Sequence, residues 1–179
     1  DSVASLLANT SELVTVLNNT QLDDTVHEVT GVNWFAYNGK VCSHIYIHGN
    51  SYFGFGASAN HLSVNTRDGE FWNIYREEGT LYKHYKFLRI RVDGYSHYST
   101  NNSTTKLAYD VILWDTGDIS LHMVNIPTSN YTGAFSFGGL TYTAPTVAHP
   151  DVTFYAGEIT SVDHGYRANR ENSESLVRL

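Results

Sequence analysis

The chain has 179 residues, a mass of 20.0 kDa and a formal net charge of -7, from 11 Lys+Arg and 18 Asp+Glu. Apolar residues are 41%, too many for a disordered chain. Basic residues are too few and dispersed for a nucleic-acid surface, and no run nears the roughly 18 apolar residues of a membrane-spanning helix.

Asp1 to Thr20 contains no Gly or Pro. Val3, Leu6, Thr10, Leu13 and Leu17 recur at 3-4-3-4 spacing, the seam of a coiled coil. The spacing predicts a helix over this stretch, about 30 Å long, with Ser2 as its N-cap. Such a helix either covers its own domain with an amphipathic face or ends an oligomeric stalk, expected as a homo-trimer. Gln21 to Gly31 reads as a polar connector, so residues 1–30 form a helix-plus-connector segment.

Residues 31–166 read as strands and turns. Ser43 to His48 alternates, with Ile45 and Ile47 on one face, and Ser51 to Gly56 returns after Gly49-Asn50. Phe71 to Tyr75 is a short strand, and Leu81 to Asp93 is the longest. In the latter Leu88, Ile90 and Val92 point inward, and Phe87, Arg89 and Arg91 point away. Lys106 to Trp114 and Ile119 to Ile126 are joined by Asp115-Thr116-Gly117-Asp118, whose Asp and Gly supply hairpin turn chemistry. Ala134 to Phe137, Leu140 to Thr143 and Val152 to Tyr155 complete the set. Eight or nine strands without a βαβ rhythm predict an all-β fold: an antiparallel, jelly-roll-like β-sandwich preceded by a short N-terminal helix. Residues 167–179 read as a polar C-terminal tail.

The single cysteine, Cys42, excludes an intrachain disulfide. Its neighbours Ile45 and Ile47 make it a core thiol rather than a nucleophile. Charged residues are only 16%, and 15 Asn, 16 Ser and 18 Thr fill the difference. That neutral polar surface reads as exterior. An exterior protein without disulfides fits a virion or a bacterial surface.

Two segments carry a resemblance. They are Asn50-Ser51-Tyr52-Phe53-Gly54-Phe55-Gly56, and Phe87 to Gly94 joined to Tyr109 to Leu121. Together they resemble the aromatic-glycine hairpin and paired strands of nidogen-type extracellular β domains, over about a third of the chain. With the heptad-bearing start, the whole also resembles the head of phage tail-fibre and baseplate receptor-binding proteins. That resemblance implies a trimer that binds a cell-surface glycan, and it transfers no individual site residue.

The residues themselves offer little for catalysis. His44 and His48 share a strand face but stand about 13 Å apart, too far to hold one ion. Glu77 and Glu78 point to opposite faces. Asp110 and Glu70 would act as a glycosidase pair only if the fold brought them about 5–9 Å apart. No G-x-S-x-G elbow, P-loop or EF-hand is present. Arg89 and Arg91 are expected to pair with Asp110 across the sheet. The aromatic surface remains. Tyr and Trp offer a flat apolar body with a polar tip, suited to sugar faces, and Asn adds hydrogen bonds. Trp72, Tyr75, Tyr95, Tyr98, Asn101 and Tyr131 are therefore the candidate ligand-binding residues, with no catalytic residue, metal or cofactor. The expected function is a non-catalytic receptor-binding or adhesion module on a virion or extracellular surface. Its partner is a glycan or receptor, without nucleic acid or membrane insertion. The alternatives are a structural virion domain and an extracellular glycan hydrolase.

Overall fold

The structure, a computed structural model, describes residues 2–157 and 166–169. Two antiparallel sheets pack face to face as a sandwich. The first has seven strands. In spatial order they are β1 (Val14–Gln21), β8 (Phe71–Leu81), β9 (Tyr85–Tyr95), β10 (Lys106–Trp114), β11 (Ile119–Asn125), β14 (Asp151–Ala156) and β15 (Tyr166–Asn169). The second has six: β13 (Leu140–Thr141), β12 (Ala134–Phe137), β7 (Leu62–Thr66), β6 (Tyr52–Phe55), β5 (His44–His48) and β2 (Val26–Thr30). A separate hairpin pairs β3 (Ala36–Tyr37) with β4 (Lys40–Val41).

The expected alternation holds where one face of a strand meets the other sheet. Ile45 and Ile47 from β5, Leu88, Ile90 and Val92 from β9, and Val111 and Leu113 from β10 are buried in the inter-sheet core. Tyr109 is buried there too. Its hydroxyl is paired with Ser51 Oγ at 2.9 Å, and burial pushes its pKa well above the ordinary tyrosine value. The Asp115–Asp118 turn is as expected. Gly117 has φ +88°, and buried Asp118 accepts from the Thr116 hydroxyl (2.9 Å) and the Ala156 amide (2.8 Å). Cys42 is 1% exposed, in the same core.

The N-terminal expectation needs correction. The helix α1 spans only Val3–Ala8, with the Ser2 hydroxyl accepting from the Ser5 amide as an N-cap. Asn9 ends it: its amide donates back to Ser5 and Leu6 carbonyls, and its Oδ1 accepts from the Ser11 amide at 2.9 Å. That side-chain turn diverts the chain. The β-branched run Val14-Thr15-Val16 then pairs with β8 as an edge strand instead of extending the helix. The connector also changes, because Val26–Thr30 forms β2, with Val26 to Thr30 paired to His48 to His44. The sandwich therefore begins at Val14, not at residue 31. At the other end, Tyr166–Asn169 belongs to β15, and residues 170–179 of the expected tail lie outside the described residues.

The helix lies on the outer face of the seven-stranded sheet. Val3, Leu6 and Leu7 pack there with Leu81, Phe87, Ile112 and Trp114 in a second apolar cluster. Burying three such side chains stabilises the arrangement by roughly 1.5–3 kcal/mol each as an upper bound. The apolar face expected to join a stalk is thus used within the chain. Leu17 packs against the main core.

Candidate functional site

Of the six candidate binding residues, Tyr95, Tyr98, Asn101 and the Tyr131 loop share one end of the sandwich, whereas Trp72 is buried and Tyr75 faces the outer side of the large sheet. Trp72 is 2% exposed and belongs to the core, where its indole N–H donates to the Gly49 carbonyl at 2.8 Å. Close packing by Gly94 holds the ring, since a Cβ there would lie 2.4 Å from it. Trp72 is therefore withdrawn as a surface residue. Tyr75 lines a shallow depression of about 240 Å³ on the outer face, with Thr10, Leu13, Arg91 and Asp93. Tyr95, Tyr98 and Asn101 sit at one end of the sandwich, at the close of β9 and in the loop that follows. That loop is tied down by Ser96 N–H to the Thr105 carbonyl (2.8 Å) and Thr104 N–H to Asn102 Oδ1 (2.9 Å). The Tyr131 loop reaches the same end, because Thr128 and Ser129 amides donate to the Thr104 carbonyl. The Tyr131 ring itself is half-buried, its hydroxyl donating to the Pro145 carbonyl at 2.8 Å and its edge meeting Phe135.

The outer face of the large sheet carries the main charge network. Tyr75, Arg91, Asp110, His122 and Asp151 stand in register across β8, β9, β10, β11 and β14. Both Asp110 oxygens are taken, by Arg91 at 2.8 and 3.0 Å and by Arg89 at 3.0 and 3.4 Å. The expected Arg–Asp pairing is thus present, and both Asp110 and Arg89 are 0% exposed. Burial lowers the Arg91 guanidinium, but hydrogen bonds and charge from Asp110 outweigh it and hold its pKa above the ordinary value. Arg89 also reaches Glu77 (3.1 Å) and the carbonyls of Leu6 (2.9 Å), Leu7 (3.2 Å) and Asn9 (2.6 Å). One buried cation therefore closes the carbonyl end of α1 and joins it to the sheet. Burial raises the Glu77 carboxyl despite the opposing pull of Arg89. His122 Nδ1 meets Asp151 Oδ1 at 2.5 Å. Ser120, two residues before His122, is committed to the Trp114 indole (2.9 Å) and to Thr153 (2.9 Å). These carboxylates and hydroxyls are engaged in holding the sheet face.

Two other clusters bear on metal binding. Asp23, Asp24 and Asp68 bring carboxylate oxygens within 4.8 Å of one another, a hard-oxygen set of the type calcium accepts. Asp23 is raised, with desolvation the leading cause and Asp24 and Asp68 adding to it. His44 and His48 are separately employed, His44 against Glu28 and His48 through Nδ1 to the Asn50 amide and a stack on Tyr52.

An aromatic groove of about 370 Å³ lies between the β3–β4 hairpin and the β6–β7 connection, lined by Tyr37, Lys40, Val41, Phe55, His61 and nearby backbone. Asn38 and Gly39 turn the hairpin with φ +49° and +79°, the paired left-handed geometry that Asn-Gly favours. The ring of Tyr37 stacks on His61 (centroids 4.6 Å, 27°) and lies 5.3 Å from Phe55. Tyr166 also stacks on Tyr37, at 5.6 Å, its hydroxyl accepting from the Asn38 amide at 3.2 Å. The Phe55 amide donates to His61 Nδ1 at 2.9 Å. A backbone amide can only donate, so Nδ1 is the acceptor and the neutral ring carries its proton on Nε2. Burial lowers the His61 pKa, which favours that neutral ring. Burial likewise pushes Tyr37 up to about 12, so its phenol stays protonated. Sequence reasoning passed over this site. The Asn38-Gly39 pair signals the hairpin, but nothing local joins Tyr37 to His61.

Neither a family model nor any curated protein or solved structure matches this chain.

Proposed function

We propose that this protein is a non-catalytic recognition module that binds carbohydrate, with the Tyr37–Phe55–His61 groove as its binding site. The observation that carries this reading is the groove itself: aromatic rings fixed by mutual stacking, with hydrogen-bonding groups at the rim. Phe55 and Tyr37 are 3% and 8% exposed, so they form the floor of the groove; a sugar would set its C–H groups over their ring edges and the half-buried His61, and its hydroxyls against the exposed Asn38 and Lys40 at the rim. Its volume falls within the usual range for small-ligand sites. The reading is supported by the engagement of the obvious acid–base candidates elsewhere, since Asp110, Glu77 and Asp151 each face a cationic or imidazole partner. A virion or extracellular setting belongs to the same reading and rests on composition. A trimer formed through the N-terminal helix loses its motive, because Val3, Leu6 and Leu7 are buried against the sheet.

The test is calorimetric titration with a glycan panel. Binding with a Kd on the order of 0.1–1 mM is expected, near 4–5.5 kcal/mol per site. His61→Ala should weaken it about tenfold while leaving the thermal transition cooperative. If a folded wild-type protein binds no member of the panel, the reading fails.

A further inference from the structure

We propose that the Tyr37–Phe55–His61 groove selects an acidic sugar, one carrying a carboxylate or sulfate, and that Lys40 is the residue that recognises the anionic group. The inference rests on the carbohydrate reading above and adds the ligand's charge.

Among the described residues the lining carries no Asp or Glu. Its side-chain polar groups are mostly donors. The His61 tautomer imposed by the Phe55 amide leaves an Nε2–H. The Tyr37 hydroxyl has no hydrogen-bond partner among the described residues, and burial keeps it protonated. Lys40 stands directly opposite Tyr37 in the hairpin register, at the two ends of the Asn38-Gly39 turn. Residues paired in this way project from the same face, so the ammonium shares the side of the hairpin that holds the Tyr37 ring. Several of the other cations are spent internally: Arg76 on Glu78, Arg89 and Arg91 on Asp110, and Lys106 on Asp93. Lys40 is exposed and has no carboxylate partner among the described residues. A cation and donors beside aromatic ring edges, with no carboxylate among the described lining residues, complement an acceptor-rich anion.

The experiment uses the full chain and matched probes that differ only in the anion. The pairs are methyl glucoside against methyl glucuronide, galactose against galactose 6-sulfate, and 3′-sialyllactose methyl ester against 3′-sialyllactose. The acidic member of at least one pair should bind about three- to tenfold tighter than its neutral partner. That corresponds to about 0.7–1.4 kcal/mol, from within the range of a solvent-exposed ion pair to somewhat above it where the lysine is joined by the neighbouring donors. The preference should shrink from 20 to 300 mM NaCl as the charges are screened. Lys40→Gln, on an exposed hairpin position, should bring the affinity for the acidic member down to that for its neutral partner, with the melting temperature unchanged. Equal binding of neutral and acidic partners would overturn the charge selection and leave the carbohydrate reading intact. An acidic preference that survives Lys40→Gln would overturn the role of Lys40. No binding to any saccharide, neutral or acidic, would remove both.

Discussion

Arg89→Met places the largest structural stake on one residue. The guanidinium is 0% exposed and makes six hydrogen bonds of 3.4 Å or less, to Asp110, Glu77 and the carbonyls of Leu6, Leu7 and Asn9. Met matches much of the stem but donates nothing. Asp110 keeps both bonds from Arg91, so it is not orphaned. The groups that lose their Arg89 donor are the half-buried Glu77 carboxylate and the Leu7 and Asn9 carbonyls, while the Leu6 carbonyl keeps the Asn9 amide. Breaking a buried pair from one side costs about 3–5 kcal/mol. If α1 lifts to hydrate its carbonyls instead, Val3, Leu6 and Leu7 surrender up to about 4.5–9 kcal/mol of burial, so the helix is expected to stay down. The expected loss is therefore about 3–5 kcal/mol, a large share of the 5–15 kcal/mol typical of a folded domain. Urea unfolding should show a lower midpoint at nearly constant m. Amide exchange should show reduced protection at Leu6 and Asn9, whose amides are bonded within the helix. Glu77→Gln is the contrast. It keeps an acceptor for Arg89 and removes a charge that burial disfavours, so stability should change by less than about 1 kcal/mol. A loss under about 1 kcal/mol for Arg89→Met, with helix protection intact, would refute the account of α1 as a segment held by this cation.

Three further outcomes follow from the same geometry. Trp72→Phe should cost about 2 kcal/mol in chemical denaturation, from the lost bond to the Gly49 carbonyl and the space left behind, with sugar binding unaltered; weakened binding at full stability would return Trp72 to the surface. Cys42, buried and pushed up to about 11 by desolvation, should resist a thiol reagent such as iodoacetamide in the native protein and react only in denaturant. Burial lowers His27, His48 and His61, so the unfolded chain binds more protons below pH 6.5 than the folded one does. Stability present above that pH should then fall as acid carries the protein through the depressed folded values. His61→Asn, which keeps an acceptor for the Phe55 amide, should flatten the fall between pH 7.5 and 5.5 in urea titrations.

Parts of this molecule are decided within a few residues of chain. The alternation of Leu88, Ile90 and Val92 with Phe87, Arg89 and Arg91 assigns each face of β9, because strand geometry sends successive side chains to opposite sides. The Asp115–Asp118 turn brings Tyr109–Leu113 back against Ile119–Met123, and Asp110 then had a partner strand on either side. Cys42 was legible as a core thiol from its neighbours. The stretch from Val3 to Leu17 was not decidable locally. Its 3-4 spacing suits a helix and its Val14-Thr15-Val16 run suits a strand, and the free edge of β8 settled the second half.

The candidate site depended on tertiary structure almost entirely. Tyr37 and His61 are separated by more than twenty positions and meet only because the β3–β4 hairpin folds against the β6–β7 connection. Trp72 carried the same sequence signal as an exposed aromatic, but the Gly94 backbone and the Gly49 carbonyl draw it into the core. Composition and alternation determined that this chain would build antiparallel sheets, but they did not place its aromatic rings outside: of the described Phe, Tyr and Trp residues only Tyr82 and Tyr98 are exposed. Which aromatic rings line a groove was decided by long-range packing, because burial depends on what lies across the sheet rather than on the residues beside a ring in the chain.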